Sequence, residues 1–460
     1  MTRQPDCTIG LDLGTSALKG VLMAEDGSVL RTAERTVAYD HPAPDCVELD
    51  AEGHWRDVVG LIRELADTAR GGVRALTISG ASGNTLLTDA QGRPLTTITN
   101  WMDCRCAKQL PPALQDLTPT DIRRVTGWPC INTFPLAHLA WLRQHRPDLL
   151  DEAAHVGMNT DWLLFRLTGQ WVMDYSTATT FHLQNQLGRS WHGPYLERIG
   201  LREEQLSQLT GSGVAVGPLT PQAAEATGLT PETLVVTGAF DHPSAARAVG
   251  VLEAGQLLLS CGTSWVGFLP WNDRDALLDV ELLCDPFLSD RGGPWAGMFS
   301  IPAIGPVIDW YLDHQIAPGM SGSDRFHRFD TLAARAADGA DGLRIDLRAP
   351  PATVDAEPER IARAVMESAA RAVNTHLDRL RQRGFRFRKA VMVGGPGNSP
   401  LWPRIVAEVT GLDISVGSVH AGAMGAAILA GIGFDCFANE HVTRSSMESP
   451  TESLNEYDSA

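Results

Sequence analysis

At 460 residues the chain exceeds what one hydrophobic core supports, since cores stop growing near ~250–300 residues, so two domains are expected. Its composition, 43% hydrophobic, 20% charged and 7% aromatic, is that of an ordinary α/β protein and excludes disorder and collagen-like structure. Lys and Arg number 38 against 55 Asp and Glu, a net charge of −17 with no basic block, which argues against nucleic acid as a partner and for small-molecule work.

The N-terminal apolar run is cut by Asp12 and Lys19, and no run of ~18 apolar residues occurs elsewhere, so a cytoplasmic protein without a membrane span is expected. The eight cysteines are scattered, and the one close pair, Cys104 and Cys106, lacks the C-x-x-C spacing of a zinc site. Reduced thiols follow. Strands are expected at 8–13, 17–23, 74–79, 233–238, 257–261 and 390–393, alternating with helical patterns, which implies crossover connections and mixed or parallel sheets. A helix is expected over 54–70, with Trp55, Val58, Ile62 and Leu65 on one stripe behind a cap at Asp50. Another is expected over 358–383, stopped by Gly384. The polar segment 439–460 reads as a tail.

Residues 9–23 and 257–269 share a pattern of apolar strand, Gly-Thr-Ser, apolar strand. Gly14, Thr15 and Ser16 recur as Gly262, Thr263 and Ser264. Such a hairpin turn exposes backbone N–H groups and two hydroxyls with little bulk, which suits phosphate, although Gly, Ser and Thr are also ordinary turn residues. Strand alternation puts Ile9, Leu11 and Leu13 on one face and Gly10 and Asp12 on the other. A carboxylate beside a residue without a side chain calls for a cation, and hydrated Mg²⁺ against phosphate fits. Asp241 ends an apolar strand at the point where open α/β sheets place working residues. It could equally cap the helix that Pro243 and Ser244 begin, and the residues alone leave both readings open. Near the C-terminus, Gly394, Gly395 and Gly397 allow backbone to approach a flat or anionic ligand, and Asn398 and Ser399 add polar contacts. The small-residue helix 420–433 is suited to pack closely beneath such a loop.

Taken in order, these segments resemble the FGGY carbohydrate kinases, of the xylulose and glycerol kinase kind, within the actin-like ATPase architecture. IGLDLGTSALKGVLM is similar to their first phosphate hairpin, NWMDCR (100–105) to their W-x-D-x-R segment, and TFPLAHLAWLRQHRP (133–147) to their first signature, with His138 where lysine is usual. MNTDWLLFRLTGQWVMDYSTAT (158–179) resembles the stretch that follows. GAFDHPSAARAVG resembles the hinge, CGTSW the second hairpin, and GGPGNSPLW with GAMGAAILAG the adenosine loop and its helix.

The resemblance implies two ribonuclease-H-like domains with mixed sheets flanked by helices and a ligand cleft between them. It divides the chain into 1–239 on the acceptor side and 240–438 on the nucleotide side. It implies transfer of the γ-phosphoryl group of ATP, with Mg²⁺, to a hydroxyl of a ketose or related polyol. Asp241 would then be the general base and a metal-site residue with Asp12. Gly14, Thr15, Ser16, Gly262, Thr263 and Ser264 would hold phosphates, and Gly394, Gly395 and Asn398 would line the nucleotide. No nucleic acid or membrane partner is implied, and a homodimer is left open.

Three departures from the family pattern bear on this. Ala81-Ser82-Gly83-Asn84 stands where long hydrogen-bonding side chains usually contact the acceptor, so a wider pocket is expected there, with Ser82, Asn84, Trp101, Asp103 and Arg105 orienting the sugar. A Ser-Gly-Glu-Arg-type stretch is missing from the second domain, and Pro396 replaces a glycine in the adenosine loop. A larger acceptor, or a non-kinase ATPase or sugar sensor of the same architecture, are the competing readings.

Overall fold

The computed structural model describes residues 6–69, 72–81, 83–107 and 112–440. Two compact units divide it. One takes in the chain up to Gly250, Leu283–Gly293 and the chain from His420; the other takes in Val251–Leu282 and Pro294–Val419. The sequence division at 239/240 therefore differs from the division by compactness: residues 240–250 and the helix after His420 pack with the first unit. The expected tail lies, from residue 441, outside the described residues.

The first unit is built on a sheet in the order Ala215–Pro218, Leu234–Val236, Val73–Gly80, Cys7–Leu13, Ala17–Ala24, Val29–Thr36. Cys7–Leu13 pairs antiparallel with Ala17–Ala24 and parallel with Val73–Gly80, which is itself parallel to Leu234–Val236. The expected alternation holds. Ile9, Leu11 and Leu13 join one core with Val58, Leu61, Ile62 and Leu65 of helix Ala51–Ala66. Each such fully buried aliphatic side chain contributes roughly 1.5–3 kcal/mol. That helix begins a turn before the expected start because the Asp50 carboxylate accepts from the Gly53 N–H at 3.0 Å. On the other face of the strand, Thr8 Oγ1 donates to the Ala427 carbonyl at 3.2 Å in helix Ala421–Gly433.

The second unit repeats the plan. Trp295–Ile301, Trp265–Trp271, Gln256–Cys261, Lys389–Gly394 and Asp413–Val416 lie side by side, the first two junctions antiparallel and the last two parallel. In both units a hairpin and its antiparallel third strand are followed, across the first strand, by two parallel strands, the ribonuclease-H-like arrangement. Helix Pro358–Gln382 buries Ile361, Val365, Ala369, Val373 and Leu377, as its periodicity predicts. Glu359 in its first turn and Arg379 and Arg381 in its last complement the helix dipole, and Gly384 follows at φ 93°. Among the described residues, no helix is long and apolar enough to cross a membrane.

Candidate active site

In the first unit the carboxyl ends of three neighbouring parallel strands carry the polar residues, the position where open α/β sheets bind ligands. Asp12 is the penultimate residue of its strand and is registered against Ser79. Beyond Leu234–Val236 the chain passes so close to the next strand that a Cβ on Gly238 would sit 1.9 Å from the Ile78 carbonyl oxygen. Only glycine fits there. The Ser79 hydroxyl then anchors the turn, accepting from the Ala239 N–H at 3.2 Å and from Ser244 Oγ at 2.7 Å. Helix Asp241–Ala248 follows, and its N-cap is Phe240, which contributes no side-chain cap. Asp241 does not serve as the cap: its Oδ1 accepts from the His242 N–H at 2.6 Å, and the Ser244 N–H goes to the Phe240 carbonyl. Its side chain is 26% exposed, open to a reactant.

Asp12 is covered by helix Ala421–Gly433. A Cβ on Gly422 would lie 2.2 Å from Asp12 Oδ2, one on Gly10 2.0 Å from the Ala423 carbonyl oxygen, and one on Gly425 1.8 Å from the Ser244 carbonyl oxygen. The small residues of this helix thus serve close approach to the first strand and to helix Asp241–Ala248, whereas the sequence reading put them beneath the loop at 394–398. Burial, and then the Asp241 carboxylate, push the Asp12 carboxyl up to about 7, against the opposing pull of Lys19. Its Oδ1 is closed to solvent and has no hydrogen-bond partner. An unpartnered carboxylate oxygen beside a second carboxylate is short of a cation.

The first Gly-Thr-Ser turn is held by side chains from far along the chain. The Thr15 carbonyl accepts from the Tyr39 hydroxyl at 2.9 Å, and Thr15 Oγ1 accepts from the Trp101 indole N–H at 3.2 Å. Behind it, a cavity of about 20 Å³, room for a water, is lined by Gly14, Thr15, His54, Ala81, Asn84 and Asn159 among others.

The acceptor-side expectations fare unevenly. Asp103 is fully buried; its oxygens accept from the Val47 N–H at 2.8 Å and from Arg105 N, Nε and Nη2 at 3.0, 2.8 and 2.7 Å. Burial raises its carboxyl, and these donors outweigh that and hold it below the usual range. Arg105 also pairs with Glu48 and faces a separate cavity of about 300 Å³ beside Trp141 and Arg146. Asn84 is closed on Asn159, donating from Nδ2 at 2.9 Å and accepting the Asn159 N–H at 2.8 Å. Ser82 lies outside the described residues. Trp101, 37% exposed, keeps a free ring surface beside Thr15. The expected widening at 81–84 is corrected at Gly83: it sits at φ 85°, and a Cβ there would lie 2.9 Å from the Phe134 ring. The small residue makes room for Phe134, which stacks on His182 at 5.1 Å.

In the second unit, backbone does this holding. The Gly305 N–H donates to the Thr263 carbonyl at 2.9 Å, and a Cβ on Gly305 would lie 2.9 Å from the Gly262 carbonyl oxygen. Gly262 and Thr263 edge a cavity of about 680 Å³ with Gly395, Pro396 and Asn398, closed by Trp402 and by Phe326 and Asp330 of helix Gly322–Arg335. Ser264 does not line it. Gly394, at φ 99°, touches the Cys261 carbonyl, a close approach only glycine allows. Pro396 stands in the first turn of the short helix Gly395–Asn398, where its missing N–H would have no helical partner in any case. Ser399 Oγ donates to Asp330 at 2.6 Å and accepts the Leu401 and Trp402 N–H groups. Tyr39, Gly305 and Asp330 escaped the sequence reading; Gly305-Pro306 at a helix start was the one local signal among them.

Comparison with known proteins matches residues 7–248 to the N-terminal domain of the FGGY family of carbohydrate kinases and residues 332–434 to its C-terminal domain. The chain is 28% identical over 443 residues to a xylulose kinase of Escherichia coli strain K12, covering 92% of this chain and 89% of that protein. It is 27% identical over 465 residues to an autoinducer-2 kinase of Klebsiella pneumoniae, covering 92% and 85%. Among solved structures, a xylulose kinase from Rhodospirillum rubrum aligns with a TM-score of 0.82 at 24% identity, covering 93% and 90% of the two chains. A gluconate kinase from Lactobacillus acidophilus aligns at 0.84 and 20% identity, covering 96% and 92%.

Proposed function

The chain belongs to the FGGY family of carbohydrate kinases, ATP-dependent phosphotransferases acting on sugars, and from that premise we propose that it phosphorylates a hydroxyl of a ketose, xylulose-like, or of a related polyol. The observation that carries the reading is the pair Asp12 and Asp241 at the carboxyl ends of the first unit's parallel strands. Asp241, partly exposed at a helix start, accepts the proton of the attacking hydroxyl. Asp12, with its unpartnered Oδ1, fits Mg²⁺ with Asp241 nearby. No group of three acidic, His or Cys ligands occurs among the described residues, so such an ion would keep water and phosphate oxygens as ligands. When bound, it would neutralise charge on the transferring phosphoryl group.

The backbone N–H groups and hydroxyls of Gly14, Thr15 and Ser16, and of Gly262 and Thr263, hold phosphate oxygens, while Ser264, off the cavity, completes the turn; Gly394, Gly395 and Asn398 approach the nucleoside. On this reading the acceptor belongs to the first unit and the nucleotide to the second. Trp101 covers the acceptor's apolar face, while Asp103, Arg105 and Asn84 support the fold around it. Phe134 filling the space at Gly83 favours a small acceptor over a larger one.

An ADP-release screen over ketoses, polyols, sugar acids and autoinducer-2 tests the substrate class: the highest kcat/KM is expected on a ketose of xylulose size. Asp241→Asn should lower turnover by about 10²–10⁴ while ATP still binds. Near wild-type turnover in that variant would refute the general-base role.

A further inference from the structure

Helix Asp241–Ala248 starts without a side-chain cap, so the place of Asp241 depends on what holds its neighbours. Two tethers do so, one on each side. Upstream, the Phe240 N–H donates to Ser176 Oγ at 3.2 Å, and Ser176 Oγ donates to Asp285 Oδ2 at 2.7 Å. Downstream, the Pro243 carbonyl accepts from Arg247 Nη1 at 3.1 Å, and Arg247 Nη2 donates to the Phe287 carbonyl at 3.0 Å. The Phe287 N–H in turn donates to Asp285 Oδ1 at 2.8 Å. The ring of bonds closes on the two oxygens of one carboxylate, and only Asp241 and His242 lie between its points of attachment.

The ring is costly to build. Asp285 is fully buried, Ser176 and Arg247 are 2% exposed, and a buried carboxylate forgoes its hydration. Phe287 is also held at φ 44°, a left-handed conformation that a bulky residue adopts only when its surroundings impose it. Arg247 is steadied further by Glu440 at 3.3 Å and by its position 4.7 Å over the Phe287 ring. The segment Leu283–Gly293 that supplies Asp285 and Phe287 is flanked in sequence by stretches of the second unit yet belongs to the first.

We propose that Asp285, acting through Ser176 on one side and through Phe287 and Arg247 on the other, is a positioning residue that fixes the Asp241 carboxylate for proton abstraction. The proposal rests on Asp241 being the general base. Displacing a reacting group by ~1 Å can cost on the order of 10²-fold in rate, so a change confined to the ring should appear in kcat.

The test uses the full chain, ATP and the acceptor giving the highest rate in the screen above. Ser176→Ala should lower kcat about tenfold or more, with both KM values within about twofold, and Ser176→Thr, which keeps the hydroxyl, should recover most of the rate. In an Asp241→Asn background, Ser176→Ala should have no further effect, because the group it positions is gone. Asp285→Asn should follow Ser176→Ala; if it fails to fold, the Ser176 series decides alone. An unchanged kcat in Ser176→Ala, an equal loss in the Asp241→Asn background, or no recovery with Thr would overturn the positioning role. Full turnover of Asp241→Asn itself would refute the base assignment instead, whatever the Ser176 variants do.

Discussion

The tripeptide Gly-Thr-Ser joins two antiparallel strands in each unit, and the two copies are supported by opposite means. The turn at 14–16 is fixed by side chains, Tyr39 and Trp101, and backs onto buried polar residues including His54 and Asn84. The turn at 262–264 is fixed by backbone, through Gly305, and opens on a cavity of about 680 Å³. A short turn is thus specified locally, while its stiffness and its surroundings are set by residues far away. One copy is built against neutral polar side chains around a water-sized space, and the other edges a large cavity walled by aromatic rings.

Substitutions that disturb one support and spare the other test this contrast. The largest stability effect is expected from Gly425→Ala, whose Cβ meets the Ser244 carbonyl oxygen and forces helix Ala421–Gly433 away from helix Asp241–Ala248. A loss of about 1–3 kcal/mol in urea unfolding follows, and turnover should fall with it. Gly305→Ala pushes only on the second turn. It should raise KM for ATP about tenfold and leave KM for the acceptor unchanged; equal effects on both would mean that the two turns are not independently supported. Trp101→Phe removes one indole N–H from Thr15, worth about 0.5–1.5 kcal/mol, and keeps an aromatic face, so KM for ATP should rise about twofold to tenfold and more than that for the acceptor.

A separate prediction concerns pH. Burial pulls His54 down to about 4, so its neutral ring stabilises the fold fully above the unfolded value near ~6.5 and loses that contribution as pH falls toward 4. His54→Gln keeps an acceptor for the Asn159 amide, now bonded at 3.3 Å, without the titration. Its urea midpoint, relative to wild type, should climb between pH 6.5 and 4.5; a constant difference would contradict the buried, neutral assignment.

What the sequence revealed and what it hid divide along physical lines. Alternation along residues 9–13, the Asp50 cap and the stripe at 361–377 are local signals, and each corresponds to an observed element. Asp103 and Arg105 stand two residues apart, but the Val47 N–H and Glu48 that complete their pairing lie more than 50 residues away. Gly83 could be read as missing bulk; that Phe134 supplies it is a tertiary fact. Likewise, the glycines of helix Ala421–Gly433 announce a close contact without saying with what.

That last helix has a consequence for how the protein is made. The strand it covers precedes it by roughly 400 residues in the chain, so on the order of 20–80 s of synthesis at about 5–20 residues per second pass before the cover exists. During that interval one face of the strand can already be closed by the early helix Ala51–Ala66, which takes Ile9, Leu11 and Leu13. The face left waiting shows Thr8, Gly10 and Asp12, a water-tolerant surface with little to attract a neighbouring nascent chain. On the neighbouring strand, Val21 and Met23 share that face and wait for the same helix, so the half-made unit carries an apolar strip beside a polar one until residues 421–433 arrive.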